Sequence, residues 1–532
     1  MRIPKRCVAV VLLCGAGAAA CNSPEIGGRQ LDSRGDVETI RAAPTYPLKK
    51  SSNGRYFVDQ AGVPVLLHGD TPWSLIGELT REEATQYLDD CAALEFNSLI
   101  VTLMEGHYVS NPPLNAYGDA PFTTPGKFST PNEAYFQHAD WVIQQAAARG
   151  IQIILAPVYI GCCDDGWFQQ VRDNNTELQM RSFGAWVGNR YKNVPNLMFV
   201  WGDDVFPQEF TAVWTKIRAM AEGLRSVDGV HLTTYHAYPE ASPYDVWSFT
   251  QESWLDFNAT YTYNPVWQKS QLDYAFTPTT PFVLFESKYE NEYGTTGKQQ
   301  RVQAYQALLS GAAGQFYGNS PIWHMGVLGG NWQAALSDPG RVDMRYVRDL
   351  FESRAWYRLV PDRTQSVLTS GLSTGDDRAM AALTDDGVTL IVYAPSRRTL
   401  RVNLDRLSGT NATAWWFNPR DGSVDAGTPV TSSGSWDFTP PTNDDWVLVI
   451  DDAASTLPAP GTGTVVPDPD GGGGSGGTGA GTGGTEPYVY VPAPLHCSAS
   501  ALGQSPSTIW WYIVALGAWV LVERKRGRRG GT

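Results

Sequence analysis

Two hydrophobic periods alternate along most of the chain. Between Tyr46 and about Leu359, short apolar runs rich in β-branched and aromatic residues alternate with longer stretches whose apolar positions recur every three or four residues. The short runs predict strands and the longer stretches predict amphipathic helices. This order is typical of βα units built around a parallel sheet.

Eight of the short runs predict strands, and they begin at Val63, Asn97, Ile151, Leu197, His231, Val246, Pro281 and Gly314. Helices are predicted at "TREEATQYLDDCAAL", "NEAYFQHADWVIQQAAARG", "TELQMRSFGAWVGNRY" and "PQEFTAVWTKIRAMAEGLR". Eight strands with this spacing favour an α/β fold, a (β/α)8 TIM barrel over residues 46–359.

The pattern changes after about Leu359. Leu400, Val402 and Leu404 alternate with polar residues, which places them on one face of a strand. In "LTDDGVTLIVYA", Asp386 and Gly387 form the turn of a predicted hairpin. We therefore predict a small all-β sandwich over residues 360–452, ending in "DDWVLVI".

The N-terminal residues resemble an export signal. Basic residues precede an apolar run, which ends in small residues before Cys21. The order Ala18, Ala19, Ala20, Cys21 resembles a bacterial lipobox, so residues 1–21 are predicted to be a lipoprotein-type signal peptide with lipid on Cys21. Ordinary signal cleavage beside an incidental cysteine is the alternative. Residues 22–45 are then a linker.

The C-terminal residues are predicted to hold a second targeting signal. Residues 453–487 are rich in Gly, Thr and Pro and predict a disordered linker. Residues 488–532 hold Cys497, an apolar stretch from Ile509 to Val522 and the basic run "ERKRGRRGG". That stretch is shorter than the about 20 residues that span a membrane. The segment therefore predicts either a sorting tail processed after export or a plain anchor, on the envelope or surface of a Gram-negative-type bacterium.

Composition narrows the partners. The chain has 532 residues, with 40 Lys and Arg against 54 Asp and Glu, and a formal net charge of -14. This charge would repel a phosphate backbone, so we expect no nucleic acid partner. Aromatic residues make up 12% of the chain, which suits a surface that stacks on sugar rings. We expect a monomer.

The cysteines do not indicate a metal site. Cys91 lies in a helical pattern and is predicted to be a small core residue. Cys162 and Cys163 are adjacent and lack the spacing of a zinc site. No HExxH, GxGxxG, phosphate-loop or GxSxG motif is present in the sequence. We therefore expect a hydrolase that needs neither metal nor cofactor.

Polar and aromatic residues follow the predicted strands, where the chemistry of (β/α)8 barrels is found. These residues are His68, Asp70, Trp73, Glu105, His107, Tyr108, Tyr159, Asp203, Asp204, Tyr235, His236, Glu286, Tyr317, Asn319 and Trp323. Asp70 could instead cap a helix, His236 could be a structural imidazole, and the tryptophans could belong to the core.

Two acidic positions suggest a reaction. Cleavage of a glycosidic bond needs one acid that protonates the leaving oxygen and a second carboxylate that attacks or activates water. The fourth and seventh strands face each other across a barrel mouth, so Asp204 and Glu286 could flank a sugar. The alternative for Asp203 and Asp204 is capping a helix that starts at Pro207.

Five motifs carry a resemblance to a known family: "RYFVDQAGVPVLLHGDTPWSL", "NRYKNVPNLMFVWGDD", "TTYHAYP", "PFVLFESKYE" and "AWWFNPRDG". Over about Tyr46 to Asp451 the chain resembles the apiosidase-like glycoside hydrolases, whose barrel is followed by a β-sandwich named for collagen binding. The resemblance implies hydrolysis with retention on a plant-type polysaccharide or oligosaccharide side chain. Apiose in pectin is the best-known target of that family.

The same resemblance implies roles for individual residues. The family motif usually ends Gly-Gly-Asp, whereas this chain reads Gly202-Asp203-Asp204, so the general acid/base falls on Asp204 and Asp203 replaces a glycine. The nucleophile falls on Glu286, followed by Tyr289 and Glu290. Asp70, Trp73 and His236 match pocket positions that bond sugar hydroxyls or stack on a ring.

Other classes remain open at this point. One is a non-catalytic surface protein that binds glycan or collagen through the barrel rim and the sandwich. Another is a polysaccharide lyase or a different barrel hydrolase, and the products of a lyase would carry an unsaturated sugar. The presence of both acids favours the hydrolase.

Overall fold

The computed structural model describes residues 43–161, 165–205 and 211–463. The predicted signal peptide with Cys21, the pair Cys162 and Cys163, and the C-terminal segment with Cys497 lie outside these residues. No helix in the described ranges is long and apolar enough to cross a membrane.

The first eleven strands of the described chain form a three-stranded antiparallel sheet and an eight-stranded parallel sheet. The small sheet contains β1 (Lys49–Lys50), β2 (Phe57–Val58) and β3 (Pro64–Val65). The parallel sheet contains β4 (Leu67–Asp70), β5 (Ser98–Thr102), β6 (Gln152–Ala156), β7 (Leu197–Gly202), β8 (Thr233–His236), β9 (Asn258–Tyr261), β10 (Phe282–Glu286) and β11 (Gly314–Tyr317).

The parallel sheet follows the chain order around a barrel. The order is β8-β7-β6-β5-β4-β11-β10-β9, so β4 pairs with β11 and the sheet curls until β8 and β9 meet. That seam is joined by a backbone bond from the Asp256 N–H to the Thr233 carbonyl, 2.8 Å, and by the Thr234 hydroxyl, which donates to the Phe257 carbonyl at 2.6 Å.

The helices of the described chain cover the outside of the sheet and the loops. They are α1 (Leu75–Glu78), α2 (Arg81–Ala93), α3 (Glu133–Ala148), α4 (Glu177–Tyr191), α5 (Thr211–Arg225), α6 (Pro243–Val246), α7 (Val266–Ala275), α8 (Gly297–Leu308), α9 (Ser320–Trp323), α10 (Trp332–Ala335) and α11 (Pro339–Glu352). Capping boxes at Thr80 and Thr176 start α2 and α4 by satisfying N–H groups of the first turn.

Both faces of each barrel strand are buried, which explains the continuous apolar runs. In β7, Met198 and Val200 point into the barrel interior, whereas Phe199 and Trp201 pack against the helix layer. Cys91 of α2 is buried and free, as predicted for a core residue.

Nine further strands of the described chain form two antiparallel sheets, with orders β12-β14-β15-β20-β17-β18 and β13-β16-β19. They are β12 (Leu359–Pro361), β13 (Leu368–Ser370), β14 (Met380–Thr384), β15 (Thr389–Ala394), β16 (Leu400–Asn403), β17 (Asn411–Phe417), β18 (Thr428–Thr431), β19 (Ser435–Phe438) and β20 (Trp446–Asp452). The predicted fold class, a barrel followed by a β-sandwich, is confirmed.

The alternation along β15 shows how the sandwich is attached. Leu390 and Val392 face the core between the two sheets, whereas Ile391 and Tyr393 join the large core that includes the barrel helices. The outer face of the six-stranded sheet therefore packs on the barrel. The predicted hairpin around Asp386 and Gly387 is present between β14 and β15.

One predicted strand is wrong. The run begins at Val246, the last residue of α6, and forms no strand. The sixth barrel strand is β9, which begins twelve residues further on. Trp247 stacks on Trp214 in the helix layer with ring centroids 3.6 Å apart, which accounts for the apolar character of the run. Two polar side chains of β9 are hydrogen-bonded to neighbouring segments: Thr260 donates to Asp273 at 2.6 Å, and Asn258 accepts from the Tyr244 N–H at 3.2 Å.

Candidate active site

The fourth barrel strand ends in an unusual backbone. Gly202, Asp203 and Asp204 have φ values of 97°, 65° and 59°. A Cβ at Gly202 would lie 2.2 Å from the Tyr235 ring, so glycine is required there. Left-handed backbone at the two aspartates costs on the order of 1–3 kcal/mol each and is typical of functional sites. The bend sends the two carboxylates to different environments.

Asp203 is fully buried and contacts His236 at the end of β8. Its Oδ1 lies 3.2 Å from His236 Nδ1, and His236 Nε2 lies 3.1 Å from Glu286 Oε2. Burial opposes a charge on His236, but the two flanking carboxylates outweigh burial and raise its pKa to about 10. An imidazolium therefore joins Asp203 to Glu286 near neutral pH.

Asp204 lies at the cavity instead. Burial and the nearby Glu286 raise the pKa of Asp204 to about 8, with smaller contributions from Asp165 and Asp203. The Tyr159 hydroxyl donates to Asp204 Oδ2 over 3.5 Å. Asp204 therefore carries its proton at neutral pH.

Glu286 is the last residue of β10. The Tyr263 hydroxyl donates to Glu286 Oε1 at 3.3 Å and lies 2.9 Å from the Tyr261 hydroxyl. Glu240 holds this tyrosine in place, because its carboxylate accepts hydrogen bonds from the Tyr263 N–H and the Thr262 hydroxyl at 2.8 and 2.5 Å. Both oxygens of Glu286 thus have a polar neighbour.

Asp204 and Glu286 face one cavity of about 850 Å³ at the carboxyl ends of the strands. A volume of this size is within the range of small-molecule sites. The cavity is lined by Trp73, Thr102, Glu105, Tyr108, Tyr159, Asp204, His236, Tyr261, Tyr263, Glu286, Lys288, Tyr289, Glu292, Tyr293, Gly294, Thr295, Thr296, Gln299 and Trp323.

Hydrogen bonds fix the aromatic walls. Trp73 stacks on His236 with ring centroids 5.6 Å apart, and its indole N–H donates to the Tyr289 hydroxyl at 2.9 Å. The Trp323 indole N–H donates to Glu292 at 2.8 Å. Side chains oriented in this way can present flat faces to a sugar ring.

Glu105 is a third acid of the cavity. Its Oε1 accepts hydrogen bonds from the backbone N–H groups of His107 and Tyr108 at 2.9 and 3.1 Å. Burial nevertheless raises the pKa of Glu105 to about 7. The cavity therefore holds two acids that titrate near neutrality.

Nine of the predicted site residues line the cavity: Trp73, Glu105, Tyr108, Tyr159, Asp204, His236, Glu286, Tyr289 and Trp323. The other eight do not: His68, Asp70, His107, Asp203, Tyr235, Glu290, Tyr317 and Asn319. Of these, Asp203 is buried against His236, and His107 is exposed to solvent.

The six remaining residues make hydrogen bonds inside the protein, and His68 does so with Gln315 at 3.2 Å. Asp70 accepts from Arg341 Nε at 3.0 Å and from the Tyr87 hydroxyl at 2.9 Å. The Tyr235 hydroxyl donates to the Val205 carbonyl at 3.3 Å. Glu290 accepts from the Tyr317 hydroxyl at 2.5 Å, and Asn319 donates to the same hydroxyl oxygen and to Asp338, both at 2.8 Å.

Tyr261 and Tyr263 line the cavity but are not among the predicted site residues, because the sequence pattern places the sixth strand at Val246 and not at β9. It also missed Lys288, Glu292 and Tyr293 in the segment after β10. The length of the loop between Glu286 and α8 is the signal that could have pointed to this wall. Within the described residues, no cluster of three or more His, Cys, Asp and Glu side chains could hold a metal ion.

The fold and the paired acids define the class of protein: a glycoside hydrolase barrel with its reactive groups at the strand ends. Residues 51–358 match the family described as "Apiosidase-like, catalytic domain", and the chain belongs to this family. Residues 360–451 match the "Putative collagen-binding domain of a collagenase".

Solved structures support the class. A structure titled glycoside hydrolase is 26% identical, with a TM-score of 0.69, and the match covers 77% of this chain and 97% of the other. A glycoside hydrolase family 5 protein from Bacteroides vulgatus ATCC 8482 is also 26% identical, with a TM-score of 0.69, over 79% and 97% of the two chains. No curated protein matched the sequence.

Proposed function

We propose that this enzyme hydrolyses a glycosidic bond with net retention, with Asp204 as general acid/base and Glu286 as nucleophile. The observation that carries the proposal is the position of the two carboxyl groups, one just beyond β7 and one at the end of β10, facing the same cavity. Asp204, with a pKa of about 8, holds a proton at neutral pH, whereas Glu286 lies against the His236 imidazolium. An acid and a carboxylate in one cavity are what a retaining glycosidase needs.

The first step is glycosylation. A Glu286 oxygen attacks the anomeric carbon while the bond to the leaving oxygen breaks, and Asp204 gives that oxygen its proton. The Glu286 carboxylate becomes an ester and loses its charge. One of the causes that raise the pKa of Asp204 then disappears, so the Asp204 carboxylate becomes stable.

The second step is hydrolysis of the ester. Asp204 removes a proton from water, the water oxygen attacks the anomeric carbon, and the bond to Glu286 breaks. The sugar is released with its original configuration, and Asp204 is protonated again. His236 and Asp203 act as positioning residues, because the imidazolium holds Glu286 in place and Asp203 holds the imidazolium.

The proposed substrate is a side chain of a plant-type polysaccharide or oligosaccharide, as in the apiosidase-like family. The cavity has aromatic walls for ring stacking and polar side chains for hydroxyl groups. The test is a panel of oligosaccharides from plant polysaccharides, with the configuration of the first-formed product read by NMR. Retention supports the mechanism, and inversion contradicts it.

Three variants assign the residues. Glu286→Gln should lower turnover by more than about 10⁴-fold, as expected for removal of a nucleophile. Asp204→Asn should lose about 10²–10⁴-fold on natural glycosides and much less on substrates with activated leaving groups, which need little protonation. Asp203→Asn is the comparison for the neighbouring carboxylate: Asp203 does not line the cavity and acts through His236, so any loss of turnover should be the same on natural glycosides and on substrates with activated leaving groups.

The outcomes separate the alternatives. Loss of activity in Asp203→Asn together with an active Asp204→Asn would move the acid by one residue. Products with an unsaturated sugar would indicate a lyase. A wild-type protein that binds the glycans without cleaving any of them would indicate a binding protein.

We also propose that the enzyme is exported and lipidated on Cys21. The support is the sequence of basic residues, apolar run and Ala-Ala-Ala-Cys. Labelling of cells with a fatty acid should mark the wild type and not Cys21→Ala. Equal labelling of both proteins would contradict the proposal.

A further inference from the structure

Tyr293 is the most exposed of the large hydrophobic residues in the described chain, with 86% of its surface accessible, and it lines the cavity. It makes no hydrogen bond or ring contact with another described residue. The ring therefore adds little to the stability of the fold. An aromatic ring left open at the mouth of a binding cavity is available for a ligand.

The backbone that presents this ring is fixed rather than loose. Asn291, Tyr293 and Gly294 have φ values of 68°, 48° and 79°, so three of the four residues from Asn291 to Gly294 have left-handed backbone. Within it, the Asn291 N–H donates to the Thr295 carbonyl at 3.1 Å, and the Thr295 N–H donates to the Glu292 carbonyl at 2.8 Å. A bulky residue at positive φ is unfavourable and needs a compensating use.

Side-chain bonds anchor the same segment on both sides. The Asn291 amide donates to Asp338 at 2.8 Å, at the start of α11. Glu292 accepts from the Trp323 indole at 2.8 Å, so the residue before Tyr293 is tied to an aromatic wall of the cavity. Tyr293 is thus held at the mouth by contacts on two neighbouring elements.

We infer that Tyr293 forms a second sugar subsite, in which its ring stacks on a sugar residue attached to the one that is released. This inference rests on the proposed function and specifies a substrate of at least two sugar units. Stacking needs only the apolar C–H face of the sugar, so the subsite favours ring orientation over the identity of the hydroxyl groups. Lys288, Thr295 and Gln299 line the same wall and can bond those hydroxyls.

The test compares two substrates that differ only beyond the bond that is cleaved. Apiosyl fluoride has no sugar beyond that bond, whereas an apiose-bearing pectic oligosaccharide does. Tyr293→Ala should lower kcat/KM on the oligosaccharide on the order of three- to ten-fold, mainly through KM, as expected for loss of one stacked ring. It should leave kcat/KM on the fluoride unchanged, since the catalytic acids are untouched.

Two controls separate the subsite from a general effect. Tyr293→Phe keeps the ring and should retain wild-type KM on the oligosaccharide. Leu272→Ala removes an exposed apolar side chain, 64% accessible, that does not line the cavity, and should change neither substrate. Equal losses on both substrates, or wild-type kinetics in Tyr293→Ala on the oligosaccharide, would overturn the inference.

The inference can be tested even if the proposed function fails. If the wild type cleaves neither substrate, electrophoresis through a gel that contains pectic polysaccharide reports binding directly. Retardation that is weaker for Tyr293→Ala than for the wild type and Tyr293→Phe supports the subsite. Equal migration of the three proteins contradicts it.

Discussion

Asp204 at the barrel rim and Asp445 in the sandwich are both withdrawn from water, with opposite results. Burial and the Glu286 carboxylate raise the pKa of Asp204 to about 8. Burial acts in the same direction on Asp445, but Arg301 outweighs it and lowers that pKa to about 2. The same chemical group is therefore an acid in one region and a permanent anion in the other.

The partners explain the difference. Arg301 on α8 donates to both oxygens of Asp445, at 2.7 and 2.8 Å, and to Asp343 at 2.5 Å. The guanidinium is shared, and burial raises the pKa of Asp343 to about 6. Among the described residues that line the cavity, no arginine is present. Arginine–carboxylate pairs hold the sandwich on the barrel, whereas the acids that face the cavity have no arginine partner among the residues that line it.

The two regions are connected through α8. Its Gln300 and Gln303 side chains donate to the Lys288 carbonyl at 2.7 and 3.0 Å, two residues beyond Glu286. The Lys288 ammonium in turn lies 2.9 Å from Asp376 of the sandwich. The sandwich thus contacts the helix and the wall that follow the proposed nucleophile, which supports a positioning role rather than a separate activity.

The largest expected effect comes from the buried charge cluster. Arg301→Gln should lower the free energy of unfolding by about 3–5 kcal/mol, because buried Asp343 would lose its charged partner and buried Asp445 would keep only Arg420, at 3.1 Å, as a cation. Arg401→Gln is the matched control, since Arg401 pairs with Asp437 on the surface and should cost less than about 1 kcal/mol. Denaturant unfolding measures both, and equal losses would contradict the comparison.

The dependence of kcat/KM on pH tests the protonation of Asp204 at the barrel rim. If Asp204 must be protonated to donate to the leaving oxygen, kcat/KM should fall above about pH 8, by about tenfold per pH unit. The descending limb should vanish for Asp204→Asn assayed on a glycosyl fluoride. A descending limb near the ordinary aspartate value of 3.8 would contradict the raised pKa, and a limb that persists in Asp204→Asn would show that Asp204 is not the acid.

Substitution of each aspartate by asparagine should have opposite effects on stability. The raised pKa of Asp204 means that the native state keeps a proton which the unfolded state loses, so stability falls as pH rises from 3.8 towards about 8. Asp204→Asn should therefore be more stable than wild type at pH 7, by about 1–2 kcal/mol.

Asp445 has the reverse sign. Its lowered pKa contributes stability that is present above 3.8 and is lost as pH falls towards about 2. Asp445→Asn should be less stable than wild type at pH 7, and the difference should shrink in acid. Unfolding curves at several pH values measure both variants, and shifts of the same sign would refute the contrast.

The smallest effect is expected at the link between the regions. Asp376→Asn removes the ion-pair partner of Lys288, which lines the cavity. A partly exposed pair of this kind contributes about 0.2–1 kcal/mol. We therefore expect only a small rise in KM. Asp377→Asn is the control, because Asp377 bonds Ser396 and Arg398 within the sandwich. Identical kinetics for the two variants would show that the sandwich does not influence the cavity wall.

Much of the fold could be predicted because it depends on local patterns. Seven of the eight predicted barrel strands, the four predicted helices and the hairpin at Gly387 follow from hydrophobic period and turn residues. The sixth strand could not be predicted from apolarity, because Asn258 and Thr260 obtain their hydrogen bonds from residues elsewhere in the chain.

The candidate site, too, has features that could be predicted from the sequence and features that could not. The sequence alone determined that acids stand at the ends of the fourth and seventh strands, since strand direction and chain order are local properties. Only the tertiary structure decided that Asp204 lines the cavity while Asp203 lies behind it, because left-handed backbone turns adjacent side chains apart. Likewise, Asp70 is bound by Arg341, 271 residues away, and no local pattern records a partner at that distance.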